Sequence, residues 1–384
     1  MKPEEKYDGF ELGPIRPPSE AKSLLLRITR NCPWNRCKFC NLYKREKFSI
    51  RLVSHVLKDI DLIKKYADFI QRSDMQSGGE GRRELTKLQD GLSENEWIAL
   101  EIARSWVLNG MKSIFLQDAN SLAMKPDNLV TILKHLSKTF PQVERITTYA
   151  RSRSIARISD DDMARIAGSG LNRIHIGMES GSDEVLDFIK KGVDKETHII
   201  AGQKVRRAGI ELSEYYMPGI GGRKLSRVNA LETADAMNKI NPNFIRIRTL
   251  AVPEEVELFE DVQAGRFTKM GDIEMAKELL LFLEHLNGIT STVKSDHILN
   301  LFQEVEGQLP DDKERITAPI KSFLSMDKQK QLIYIAGRRA GVFRRLDDIN
   351  DPVRMRHAEN TVKSYCITLN NVDNFTAEMM KRFI

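Results

Sequence analysis

The chain is 384 residues long, 41% hydrophobic and 30% charged, with a formal net charge of +6. That length and balance describe a globular protein with one α/β barrel or two domains, and exclude a disordered chain. No run of eighteen apolar residues occurs, so no membrane span is expected, and the charged start Met1-Lys2-Pro3-Glu4-Glu5-Lys6 lacks a signal-peptide core. The modest basic excess reads as a solvated surface. The pairs Arg338-Arg339 and Arg344-Arg345 are too short to mark a nucleic-acid module, so nucleic acid is not expected as a partner.

In chain order, Leu24–Thr29 reads as a strand and is followed by three of the four cysteines, Cys32, Cys37 and Cys40, in C-x4-C-x2-C spacing. An odd number of thiols on one loop makes a poor disulfide set. It makes a good soft-ligand set, either for zinc, which wants a fourth protein ligand, or for an iron–sulfur cluster. A [4Fe–4S] cluster held by three cysteines leaves one iron open for a ligand. Free thiolates imply a reducing, cytoplasmic setting.

A helix is expected around residues 50–70, then a polar, Gly-rich insertion over 71–92 that contains Gly78-Gly79-Glu80. Ser93-Glu94-Asn95-Glu96 is a capping box that opens a helix ending at Gly110. Strands at Ser113–Gln117, Arg145–Tyr149, Asn172–Met178, Ile210–Met217 and Asn243–Leu250 alternate with helices at Asp127–Thr139, Asp160–Gly168, Asp183–Lys190, Lys195–Ala208 and Leu225–Ile240. Strands joined by helical crossovers imply a parallel sheet, barrel-like or doubly wound. Beyond residue 270 the pattern turns helical, clearest at Ile273–Leu286, Lys313–Leu324 and Asp327–Arg339, with one more strand at Ile289–Val293.

A strand running into a three-cysteine loop and then a βα series resembles the radical S-adenosylmethionine (radical SAM) superfamily, over about residues 22–252. Phe39 before Cys40 fits that family's aromatic position, while the x4 gap departs from its commoner x3. Strand four, with Gly177-Met178-Glu179-Ser180-Gly181-Ser182, is similar to the branch of methylthiotransferases and oxygen-independent coproporphyrinogen oxidase-like enzymes. The resemblance implies an α/β fold, a partial (βα)6-type radical SAM barrel with a helical C-terminal extension. It implies an N-terminal extension over 1–21, a core over 22–270 and a mainly helical extension over 271–384.

The implied activity is reductive cleavage of S-adenosylmethionine at a [4Fe–4S] cluster to a 5′-deoxyadenosyl radical that abstracts hydrogen from a substrate. Alternatives are a methyl- or methylthio-transferase, or a non-catalytic metal- or heme-binding protein on the same fold. Cys32, Cys37 and Cys40 would hold the metal. Asp118, Ala119, Asn120 and the backbone to Ser121 would meet the cofactor's amino group, rather than Gly78-Gly79-Glu80 in the insertion. Arg151 or Lys191 would pair with its carboxylate, Glu179 would accept its ribose hydroxyls, and Gly219, Ile220 and Leu250 would lie along the adenine. An anionic substrate met by Arg246 and Arg248, an electron donor such as ferredoxin or flavodoxin, and oxygen sensitivity complete the expectation.

Other residues read more plainly. His175, in mid-strand, is expected to pack. Asp296 is expected to cap a helix starting at Ile298, with His297 beside it. Cys366 is expected as a buried small hydrophobe or, in the sharper reading, a hydrogen-donating thiol.

Overall fold

The computed structural model describes residues 6–75 and 91–383. These form two compact units: the first gathers the chain up to Pro33, Arg45–Ile176 and Lys204–Glu211, the second Trp34–Lys44, Gly177–Gln203 and the chain from Leu212 on. The motif Gly78-Gly79-Glu80 and most of the expected insertion lie outside the described residues.

In the first unit β1 (Leu24–Arg27) is followed by a short antiparallel pair, β2 (Thr29–Arg30) and β3 (Ser49–Ile50). Helix α1 (Val53–Met75) carries the expected helix five residues past its predicted end, and α2 (Glu94–Leu108) opens on the Ser93 capping box. Then come β4 (Ser113–Gln117), α3 (Pro126–Thr139), β5 (Arg145–Ala150), α4 (Ser152–Arg157), α5 (Asp160–Gly168) and β6 (Leu171–Glu179). The sheet order is β1-β4-β5-β6, with every pairing parallel. The strands are apolar on both sides, as a helix-covered parallel sheet requires: all of Ser113–Gln117 is buried. Helix α3 covers it with Leu129, Val130, Ile132, Leu133 and Leu136, at helical spacing and each worth about 2 kcal/mol on burial.

The last turn of β6, Gly177–Glu179, belongs to the second unit, where the order continues β6-β7-β8-β9-β10. Its elements are α6 (Asp183–Phe188), most of α7 (Lys195–Arg207), β7 (Glu211–Tyr216), α8 (Gly222–Ile240), β8 (Phe244–Ile247), α9 (Glu257–Gln263) and α10 (Asp272–Glu284). Strand β9 (Thr292–Lys294) adds parallel to β8, and β10 (Gly307–Gln308) returns antiparallel to it. Helices α11 (Lys313–Ser325), α12 (Lys328–Arg339), α13 (Pro352–Ser364) and α14 (Val372–Met380) complete the chain. The six expected strands and their crossovers are thus present in a parallel α/β fold. No helix among the described residues is long and apolar enough to cross a membrane.

Three local expectations are corrected. No helix follows Asp296: residues 295–304 are irregular, with turns at 298–299 and 303–304, and Asp296 instead forms an ion pair with Arg246. Cys366 is exposed, which excludes a buried apolar role. Arg246 and Arg248 part company, since Arg246 is buried against Ser213 Oγ (3.1 Å) and Asp296, whereas Arg248 is exposed.

The ring of His297 accepts the Leu299 N–H at Nδ1 (3.3 Å). Burial and the Arg248 charge, against Asp296, lower its pKa to about 4. The unfolded chain therefore takes up a proton near pH 6.5 that the folded chain refuses. Stability should fall as pH drops from about 6.5 to about 4, by up to about 3 kcal/mol. Urea unfolding of the wild type and His297→Gln across that range measures this; equal slopes would refute it.

Candidate functional site

The cysteine loop is held at both ends by side chains that are not cysteines. At its start, Asp118 Oδ2 accepts from Arg27 Nε (2.7 Å) and from the Asn31 N–H (3.0 Å), and Arg27 Nη2 reaches Asn31 Oδ1 (3.1 Å). Asp118 is fully buried at the end of β4 with φ of 71°, a left-handed conformation that Asp tolerates better than most residues. The side chain expected near the cofactor's amino group is therefore committed to anchoring the loop. Next to it, Ala119 is half-buried, and Asn120 joins the Arg151 N–H (3.1 Å) to Ser154 Oγ (2.7 Å). Arg151 caps α4.

Farther along, Trp34 Nε1 donates to the Lys190 carbonyl (2.7 Å), and Lys38 N–H donates to Ile189 O (2.9 Å). A Cβ at Gly192 would stand 2.3 Å from the Trp34 ring, so only glycine admits that ring, and φ of 70° suits it too. Lys38 Nζ pairs with Asp261 (2.8 Å). Within the x4 gap Asn35, like Asn31 before the loop, adopts positive φ. A Cys40 N–H to Cys37 O bond (3.3 Å) turns the last two thiols into one bend. All three cysteines are half-buried. Among the described residues no three Cys, His, Asp or Glu side chains are already drawn together as a metal cage.

Four residues of the strand-four motif have a physical reason. Glu179 has φ of 66°, and its carbonyl accepts the Met217 N–H (2.9 Å). Its Oε1 lies 3.2 Å from Lys191 Nζ, with both side chains about 12% exposed. Gly177 leaves room for that carboxylate, since a Cβ would come within 2.3 Å of Oε1. Gly181 packs against the backbone of Glu232 and Thr233 on α8 and donates to Thr233 Oγ1 (2.7 Å). Ser182 caps α6. Lys191 Nζ also stands 5.6 Å from the Phe39 ring centroid, a cation–π contact onto the cysteine loop. The other carboxylate oxygen, Glu179 Oε2, is buried with no hydrogen-bond partner.

The Gly219–Gly222 turn is pinned from below. Glu278 Oε1 accepts from Tyr216 Oη (2.9 Å), Gly219 N–H (3.0 Å) and Asn229 Nδ2 (2.7 Å). Burial raises the pKa of Glu278 in spite of those donors. Gly219 and Leu250 line one cavity of about 320 Å³, with Val252, Met275 and α14 residues Thr376 and Met380. Ile220 turns away into the apolar core with Val185, Met217 and Leu258. The structure thus gathers Phe39, Glu179 and Lys191 at one place and Gly219 and Leu250 at another in the second unit. Asp118, Asn120 and Arg151 meet in the first.

Two buried acids carry no sequence motif. Glu20 lies in the first unit with Ser23 Oγ at 2.5 Å, Arg145 Nη2 at 3.4 Å and His175 Nε2 at 3.9 Å. Burial pushes its pKa up, but the neighbouring His175, the Ser23 hydrogen bond and the Arg145 charge outweigh this and hold it low. His175 accordingly packs between Glu20 and the Tyr149 ring, as expected of a mid-strand histidine. The second acid is Glu214 in β7, fully buried with neither oxygen bonded. Alternating strand patterns do not distinguish such acids from solvent-facing ones, so only the fold reveals them.

Fold and site define a parallel α/β protein with a three-cysteine loop ahead of a Gly-x-Glu-Ser-Gly-Ser strand end. Residues 90–234 match the model of the radical SAM superfamily, and the chain carries a radical SAM domain. The matched stretch begins after the cysteine loop and includes Glu179, Lys191 and Gly219. The chain is 25% identical over 140 residues to the tRNA uridine(34) acetyltransferase of Methanocaldococcus infernus, covering 34% of this chain and 26% of that one. It is 21% identical over 277 residues to the human mitochondrial tRNA methylthiotransferase CDK5RAP1, covering 64% and 43%. Among solved structures, coproporphyrinogen III oxidase (HemN) from Escherichia coli aligns with a TM-score of 0.44 and 13% identity, over 69% of this chain and 52% of that one. The chain spans about a quarter or less of the length of the acetyltransferases it matches.

Proposed function

We propose that the protein is a radical SAM enzyme that binds a [4Fe–4S] cluster on Cys32, Cys37 and Cys40 and cleaves S-adenosylmethionine to start hydrogen abstraction from a substrate. The observation that carries this reading is the Glu179–Lys191 pair on a radical SAM domain, with Glu179 Oε2 buried and unpartnered. A buried carboxylate oxygen without a donor costs free energy and fits a ligand that brings hydroxyl groups. Three cysteines on one loop fit the cluster by donor chemistry. When bound, the cluster supplies the electron for cleaving the sulfonium.

The chain's own residues divide the remaining work. Asp118 and Trp34 fix the two ends of the cysteine loop, so loading a cluster draws in the thiols without remaking the loop's anchors. Glu179 accepts the ribose hydroxyls through Oε2, and Lys191 holds a carboxylate beside it. The cavity at Gly219 and Leu250 takes the flat adenine, and Asp118–Asn120 offer backbone to the amino group. Arg151 remains the second candidate for the carboxylate. We assign an anionic substrate to Arg248, because Arg246 is already neutralised by Asp296. A flavodoxin or ferredoxin as electron donor, a cytoplasmic setting and oxygen sensitivity belong to the same reading.

The relatives named for tRNA chemistry do not extend it to nucleic acid. Arg338 and Arg339, the basic pair too short to mark a nucleic-acid module, are buried on backbone carbonyls and Asp272. Equilibrium binding of S-adenosylmethionine to the reconstituted protein tests the site. Glu179→Gln and Lys191→Met should each weaken binding by on the order of tenfold. Unchanged affinity in both would remove the site from these residues.

A further inference from the structure

Glu214 lies three residues before Met217, whose N–H bonds the Glu179 carbonyl (2.9 Å), and neither the motif nor the proposed chemistry uses it. It sits in β7, its residue is 0% exposed, and both carboxyl oxygens are buried without a hydrogen-bond partner. Across the sheet its register partner on β8 is Ile245, also fully buried, which offers no polar atom from its side chain. The charges that act on it come from the strand end and the loop after α6: Lys191 favours its ionised form and Glu179 opposes it. Burial dominates both and pushes its pKa well up.

Charge counting explains why. Glu179 and Lys191, 3.2 Å apart, already cancel one another. A second carboxylate would leave this buried group with one uncompensated negative charge, and burying such a charge is costly enough that the group takes a proton instead. The site at rest is therefore electrically complete only with Glu214 neutral. A ligand that carries one net positive charge into it reverses that balance, because a cation lowers the cost of the second carboxylate.

We propose that Glu214 is the counter-ion of the Glu179–Lys191 site: it waits as a neutral acid and gives up its proton when a ligand of net charge +1, a sulfonium or an ammonium compound, enters. This rests on the reading that the site takes S-adenosylmethionine, whose sulfonium supplies that charge. Glu214 acts through the field at the site and is a positioning residue. The proton leaves to solvent, and no bond of the ligand changes.

The test is isothermal titration of the reconstituted protein, without reductant, in buffers of different ionisation enthalpy at pH 7. S-adenosylmethionine is compared with S-adenosylhomocysteine, which lacks the sulfonium charge. Both compounds carry one ammonium and one carboxylate, so they differ by the sulfonium charge alone. The wild type should release about one proton more with the sulfonium compound, and Glu214→Gln should abolish that difference. The variant should also lose affinity for the sulfonium compound by on the order of tenfold while holding the uncharged one within about twofold. Equal proton release for the two compounds in the wild type overturns the proposal, whether or not the variant folds. Failure of both compounds to bind overturns the reading of the site on which it rests, and so is told apart from failure of the counter-ion alone.

Discussion

Replacing any one of Cys32, Cys37 or Cys40 with alanine is expected to abolish 5′-deoxyadenosine formation, by about three orders of magnitude or about 4 kcal/mol of activation free energy. A cluster on three thiolates has no spare ligand among them. Cys366, exposed in the C-terminal region, is the control, and its replacement should leave product formation unchanged. The variants should still fold. Asp118 and Asn31 hold the start of the loop, and Trp34 on Gly192 and Lys38 on Asp261 hold its far part, none of them through a thiol. Thermal melts of the metal-free proteins should therefore coincide with the wild type while iron content after reconstitution collapses. A melt lowered by many degrees in all three would show instead that the cysteines are structural.

The second large effect lies in the C-terminal region. Asp272 opens α10, and its carboxylate takes both arms of Arg339 (Nε to Oδ2, 3.1 Å, and Nη2 to Oδ1) and the Thr376 hydroxyl (3.0 Å). Asp272 is 2% exposed and Arg339 8%. Removing one partner of such a pair strands the other charge in the interior. Asp272→Ala should therefore cost about 3–5 kcal/mol, a large share of a domain's whole stability. The double variant Asp272→Ala with Arg339→Met should recover much of that, since neither charge is then stranded. Because Thr376 loses its acceptor too, amide exchange across α14 should rise more than across α8. Denaturant unfolding measures the first two effects; a loss below about 1 kcal/mol in the single variant would contradict the account.

What was legible in the sequence follows from how locally each feature is encoded. Strands and helices that alternate with clear periodicity, such as Ser113–Gln117 and Asp160–Gly168, appear where expected because their own residues decide them. The Glu179–Lys191 pair was legible because the two residues are twelve apart and joined by one short helix. Asp118's grip on Arg27 and Asn31 was not, because it spans about ninety residues and depends on β1 pairing with β4. The same holds for Glu20 with His175 and for Arg246 with Asp296: each residue looks like a solvated side chain until the sheet brings its partner near. Asp296 misled for that reason. Its capping potential is real, but an arginine on the neighbouring strand competes for the same carboxylate and wins. Glu214 is the extreme case, since nothing in Glu211–Tyr216 marks one acid as buried and the other as half-exposed.

The central claim is that the cysteine loop and the Glu179–Lys191 site together perform reductive cleavage of S-adenosylmethionine. Its most direct test is anaerobic reconstitution with iron and sulfide, followed by addition of S-adenosylmethionine and dithionite and quantitation of 5′-deoxyadenosine and methionine. The account predicts about four irons per chain and equal amounts of the two products, both lost in Cys37→Ala. Stoichiometric zinc with less than about one iron per chain, and no 5′-deoxyadenosine, would contradict it.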